Sequence, residues 1–141
     1  MTADLRARVL HEHAELRCLM GDVDLAAGAV LSGVHGAAAH LQSHVARLGT
    51  ALLDHLAFEE RHLVPAVRSR SPARADAVLR EHGRQRDVLH ELRVMRGDHD
   101  ARALAGRLPA LVGELLLDMA CEERDLLDAL GASPPETAEA P

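Results

Sequence analysis

The sequence predicts an all-α fold, an up-down-up-down bundle of four helices. Apolar residues recur at helical spacing in four long segments. The aromatic and β-branched side chains that strands draw on are scarce, and Phe58 is the single aromatic residue among 141. The segments are separated by short stretches marked by Gly, Pro and Ser, and short connections join antiparallel neighbours in a bundle. A chain of this length holds one domain with a real core, so residues 1–130 are expected to form the bundle.

The first helix is expected from about Ala3 to Ala26, where Leu5, Val9, Leu16, Leu19, Met20 and Val23 form the apolar stripe. His13 falls on the flank of that stripe and His11 well away from it, at about 100° of rotation per residue. Gly28, Ser32, Gly33 and Gly36 mark a turn region. The second helix is expected from about Ala37 to Arg68, ending near Pro65 or a few residues beyond, with Leu41, Val45, Leu48, Leu52, Leu56 and Leu63 inward. His55 and Glu59 lie on that stripe or at its edge, and His44 and His62 just beside it. Ser71-Pro72 reads as an N-cap followed by proline at the first helical position, starting a third helix that reaches about Met95. Its inward stripe is Val78, His82, Gln85, Leu89 and Leu92. Gly97 to Asp100 reads as a polar turn. The fourth helix then covers about Ala101 to Leu130, with Pro109 kinking it or dividing off its first turns. Leu104, Leu108, Leu111, Leu115, Met119 and Leu126 face inward together with Asp118 and Glu122, while Glu123 is displaced by about 100°. Gly131 stops the helix, and residues 131–141 are too poor in apolar side chains to pack, so a disordered tail is expected.

The polar residues that intrude on these stripes carry the chemistry. Each helix places titratable groups inward near its own middle: His13, then His55 and Glu59, then His82, then Asp118 and Glu122. Antiparallel packing brings them to one level of the core. Unpaired buried ions cost several kcal/mol apiece, and one or two divalent metal ions remove most of that cost. Imidazole and carboxylate donors without a thiolate suit iron, manganese or zinc. His11, His35, His40, His90 and His99 lie off the stripes and are expected to be solvated.

Other function classes are disfavoured. A net charge of -6 without a Lys/Arg block gives no footprint for nucleic acid, and no apolar run approaches a membrane span. The N-terminus lacks the basic start and apolar stretch of a signal peptide, so a cytoplasmic location is expected. Cys18 and Cys121 are isolated and have no C-x-x-C spacing, and both read as reduced, semi-buried thiols.

At these residues the chain resembles the hemerythrin-like proteins, also called HHE cation-binding domains, over about residues 5 to 130. The segment His13-Ala-Glu-Leu-Arg17 is similar to the family's first-helix histidine segment. His55-Leu-Ala-Phe-Glu59-Glu60, with Leu63 and Pro65, is the most specific part; Glu81-His82 resembles the third-helix motif and Glu122-Glu123-Arg-Asp-Leu126 the fourth. The resemblance implies a hemerythrin-like bundle with two irons held by histidines and two bridging carboxylates. It also implies binding of, or reaction with, dioxygen or related small oxidants such as nitric oxide and peroxide. His13 and His55 would serve one iron, His82 the other, and Glu59 would bridge. On the fourth helix, straight helical geometry favours Glu122, whereas the family's spacing favours Glu123 turned inward by a local π-bulge.

Two departures from the family pattern matter. Val78 stands where a further third-helix histidine is often found, and Asp118 where the fourth helix has a histidine. An anionic oxygen donor favours the higher oxidation state, which moves the expectation from reversible oxygen carriage towards oxidative chemistry or a single-metal site. His62, two turns beyond His55, is a candidate to replace the missing ligand. The expected protein is thus a non-haem iron module for sensing, storage or protection, or else a small oxidative enzyme, acting as a monomer or small homo-oligomer.

Overall fold

The structure, a computed structural model, describes residues 3–95 and 97–127, the segment 97–99 through its backbone alone. It is a four-helix bundle: α1 (Ala3–Leu31), α2 (Ala37–Arg70), α3 (Pro72–Val94) and α4 (Gly97–Glu122), the last running directly into a π-helical segment at Glu123–Leu127. No strand occurs among the described residues, and no helix among them is long and apolar enough to cross a membrane.

Side-chain pairs between helices step in opposite directions along the chain, which fixes the antiparallel order. Between α2 and α3 they are Glu59–His82 and Arg68–Asp76; between α3 and α4 they are Gln85–Asp118 and Glu91–Arg107.

Three boundaries differ from the sequence expectation. The first helix runs on through Gly28 to Leu31, because Ala27 and Val30 on either side of that glycine are buried and Gly28 itself faces outward. Burial there outweighs the roughly 1 kcal/mol helix penalty of glycine. The reversal is confined to 32–36, where Gly33 and Gly36 take φ of 76° and 77°, the left-handed region that favours glycine. α4 begins at Gly97, so the expected turn at 97–100 is helical, and Pro109 sits within a continuous helix. Pro65 likewise lies on an exposed side of α2, which continues to Arg70. Ser71 is all that connects α2 to α3, and its side chain accepts a hydrogen bond from the Arg74 backbone N–H at 3.3 Å. The expected stop at Gly131, the tail at 131–141 and the His99 side chain lie outside the described residues.

The core is divided in two. The larger apolar cluster holds Leu16, Met20, Val23, Leu41, Leu48, Leu52, Leu56, Leu89, Leu104, Leu108, Leu115 and Met119 among others. The smaller, at the other end, is built on Val9, Leu63, Val64, Val67, Ala75 and Leu127. Between them His13, His55, Glu59 and His82 are buried, forming a polar layer across the bundle.

Replacing Ser71 by Ala removes the N-cap of α3 and should lower unfolding free energy by about 1 kcal/mol. Urea denaturation with an unchanged m-value would measure it.

Candidate metal centre

Each helix contributes to the polar layer at the position where its own apolar stripe is interrupted. His13 projects from α1, His55 and Glu59 from α2 one turn apart, His82 from α3, and Glu122 from the last turn of α4. The Glu59 carboxylate is central. Its Oε2 lies 3.2 Å from His55 Nε2 and 3.8 Å from His13 Nε2, and its Oε1 lies 3.2 Å from His82 Nε2. Glu122 Oε1 is 3.0 Å from His13 Nε2. His13, His55, Glu59 and Glu122 offer donor atoms that all lie within 4.8 Å of one another.

The opposite edge of each ring is held by a second carboxylate. His13 Nδ1 lies 2.7 Å from Glu123, His55 Nδ1 2.8 Å from Glu12, and His82 Nδ1 2.8 Å from Glu60. Each of these carboxylates is gripped by an arginine: Arg17 on Glu123 at 2.8 Å, Arg8 on Glu12 at 3.0 Å, and Arg86 on Glu60 through two bonds of 2.6 and 2.9 Å. An ionised carboxylate only accepts, so each Nδ1–H donates, and a neutral ring is left with a bare Nε2 lone pair pointing into the layer.

Three lone pairs and two carboxylates facing one another in a buried layer demand positive charge. Buried atoms without a hydrogen-bond partner include His13 Nε2, Glu59 Oε2 and Glu122 Oε1, all at the same point. Zinc-like bond lengths of roughly 2.0–2.2 Å place donor atoms about 3 to 4.3 Å apart around one ion. The separations of 3.0, 3.2 and 3.8 Å fall within that range, so the donor set fits a divalent cation.

Without the cation, protons take its place. Burial, the largest influence on His13, lowers its pKa, but the adjoining carboxylates of Glu122, Glu59 and Glu123 together raise it to about 10. His55 and His82 are raised in the same way, against their burial, by Glu59 together with Glu12 or Glu60. Burial, followed by the neighbouring Glu59, pushes Glu122 up to about 8, while Glu59, against its own burial, is held well below its ordinary value by the adjoining Glu122 and three imidazoles.

A cavity of about 330 Å³ adjoins the layer. Leu16, Met20, Leu52, Leu56, Leu115 and Met119 wall one side, and Val78, Ala77, Arg74 and Leu126 another. Asp118 also lines it, accepting from Gln85 Nε2 at 2.8 Å, with burial and then Glu81 raising its pKa to about 6. It stands outside the group of donors that share a point. Glu122 is inside that group, whereas the Glu123 carboxylate turns to the outer edge of His13. A π-helical segment does occur, beginning at Glu123.

His62 is not brought to the cluster. It is exposed, its ring against Phe58 at 4.7 Å between centroids. Past Glu59 the buried face of α2 is carried by Leu63, Val64 and Val67, and Leu63 is already about 100° round from His62. His11, His35, His40 and His90 are exposed, as expected. Both cysteines are free thiols; Cys121 is half-buried at the cavity as expected, whereas Cys18 is exposed, lying off the buried face of α1 that Leu16 and Met20 carry.

The outer partners Glu12, Glu60, Arg8, Arg17 and Arg86 were not legible as site residues from the stripes. The available signal was in the pairs Glu12-His13, Glu59-Glu60 and Glu122-Glu123. When one neighbour points inward, the other, about 100° round, runs along the adjoining helix.

The family model of the hemerythrin HHE cation binding domain matches residues 4–130. No curated protein and no solved structure gives a match.

Removing an outer carboxylate should weaken the centre without emptying it. In Glu12→Ala, divalent-metal affinity should fall by about 10- to 100-fold, and unchanged affinity in a competition titration would contradict the role assigned to Glu12. Because His13 titrates at about 10 and Glu122 at about 8 in the metal-free protein, both carry protons at neutral pH. Metal must displace them. Apparent affinity should therefore climb as pH rises from about 6 to 8 and drop on acidification, and a flat profile would show that no proton leaves.

Proposed function

Because the chain belongs to the hemerythrin HHE cation-binding domain family, we propose that its cation centre holds iron, as a pair of ions, and that the protein binds or reacts with dioxygen or a related small oxidant such as nitric oxide or peroxide in the cytoplasm. The observation that carries this reading is the set of unpartnered buried atoms, His13 Nε2, Glu59 Oε2 and Glu122 Oε1, converging beside a largely apolar cavity. His13, His55 and Glu122 would hold one ion with Glu59 Oε2. His82 would hold the other with Glu59 Oε1, and Asp118 and Glu122 are the nearest carboxylates on α4 to complete it. Glu59 would be shared between them, a role supported by its two oxygens facing different histidines.

Iron supplies one-electron redox chemistry and positions open to a diatomic ligand. The chain supplies the rest. The outer carboxylates fix the ring orientations and keep each Nε2 unprotonated in the neutral ring, and the arginines neutralise those carboxylates so that only Glu59 and Glu122 present charge inward. The leucine and methionine wall excludes water and keeps electrostatic interactions at the centre strong. Val78 contributes volume where an imidazole would contribute a ligand.

A second reading, an iron-dependent oxidative enzyme acting on a small organic molecule, is favoured by the cavity itself. Its 330 Å³ exceeds about tenfold the roughly 30 Å³ share of a water molecule, and a diatomic needs little more.

Elemental analysis of anaerobically purified protein, followed by oxygen addition, tests the proposal. Two irons per chain and an oxygen-dependent visible band are expected; iron-free protein, or iron indifferent to oxygen, would refute it. His55→Ala combined with Glu59→Ala should abolish metal binding, whereas His62→Ala should retain full metal content.

A further inference from the structure

The two sides of the polar layer are unequally furnished with donors. His13, His55, Glu59 and Glu122 present donor atoms within 4.8 Å of one another, whereas His82 stands outside that group and reaches it through Glu59 Oε1, 3.2 Å from its Nε2. One turn before His82 on α3 is Val78, which lines the cavity and offers no donor. Glu122 is already committed to the other side, 3.0 Å from His13 Nε2.

Asp118 is the remaining α4 carboxylate on the cavity lining near His82, and it is engaged elsewhere. Its Oδ2 accepts a hydrogen bond from Gln85 Nε2 at 2.8 Å, and the same amide reaches Glu81 Oε1 at 3.4 Å. Gln85 is 5% exposed and lies three residues past His82 on the inward face of α3. A buried amide that loses its acceptor keeps an unsatisfied donor, and the cost of that donor falls on whatever drew the acceptor away. Turning Asp118 towards an ion beside His82 therefore works against Gln85.

We infer that Gln85 is a positioning residue that withholds Asp118 from the His82 side, so that the centre has one strong and one weak place and fills in two unequal steps. The inference rests on the reading of the polar layer as a two-ion centre. The strong place is the group of four donors. The weak place, supplied by the chain with the His82 imidazole and one oxygen of Glu59, lies beside Val78 on the cavity lining. An ion there keeps more of its positions open to a molecule entering the cavity.

Calorimetric titration of the metal-free full-length chain with cobalt(II), a redox-quiet stand-in for iron(II) that takes the same imidazole and carboxylate donors, reads both steps. The second equivalent should bind at least about tenfold more weakly than the first. His82→Ala should erase the weak step and keep the strong one. Gln85→Leu, similar in size and without the amide, should tighten the weak step by about 3- to 10-fold, and adding Asp118→Asn to it should cancel that gain. Circular dichroism checks that each variant keeps its helices, and the unaltered chain decides the inequality of the steps without any variant. Two equal steps in the unaltered chain, loss of the strong step in His82→Ala, or a weak step that Gln85→Leu leaves unmoved overturns the inference while the two-ion reading stands. Uptake of a single ion, or of none, refutes the two-ion reading itself and the inference with it.

Discussion

Positive charge must be supplied to a buried layer in which three imidazole lone pairs meet two carboxylates. Everything around His13, His55, Glu59, His82 and Glu122 is arranged either to create that demand or to contain it. The outer carboxylates Glu12, Glu60 and Glu123 turn each ring so that its unprotonated edge faces inward, and arginines cancel their charge from outside. The result is a graded arrangement, cationic at the rim, anionic beneath it and electron-rich at the centre. Protons satisfy the centre in the metal-free chain, which is why His13 and Glu122 are both pushed upward in pKa although burial acts on them in opposite senses.

Such a layer is tolerable because apolar plugs close it on both sides. Each fully buried leucine contributes roughly 1.5–3 kcal/mol, and the larger plug alone includes Leu16, Leu41, Leu48, Leu56, Leu89, Leu104 and Leu108, all nearly inaccessible. The plugs also set the dielectric environment: the same leucines that stabilise the bundle keep water from screening the centre. Packing and electrostatics are therefore one device, and the 330 Å³ cavity is the place where the packing is deliberately incomplete.

Much of this was legible in the sequence, for a definite reason. Helical periodicity is a strong signal when apolar residues are nearly all Leu, Val and Ala, so the four helices and the inward positions of His13, His55, Glu59, His82 and Glu122 follow from spacing alone. What periodicity could not resolve were features set by contacts between helices. Gly28 and Gly97 read as turn residues, yet neighbouring burial carries the helix through Gly28, and α4 starts at Gly97. His62 shares an angular position near His55, but the buried face of α2 swings away beyond Glu59. The outer carboxylates touch histidines on other helices, information that no single stripe contains. The π-helical segment was foreseen as a way to turn Glu123 inward; it occurs, and Glu122 faces the cluster while Glu123 grips His13 from behind.

The single-residue connection at Ser71 has a consequence for how the centre is assembled. With almost no slack between α2 and α3, Glu60 and His82 are only 22 residues apart in the chain when they meet, whereas His13 and Glu123 are 110 apart. On a logarithmic dependence of loop-closure entropy on length, the second encounter costs roughly 1.4 kcal/mol more than the first. The hairpin carrying Glu59, Glu60 and His82 is thus the low-contact-order half of the molecule, one jaw of the centre with Glu59 close in sequence to its α3 partner. The half that supplies His13 and Glu122 closes only when the two ends of the chain come together.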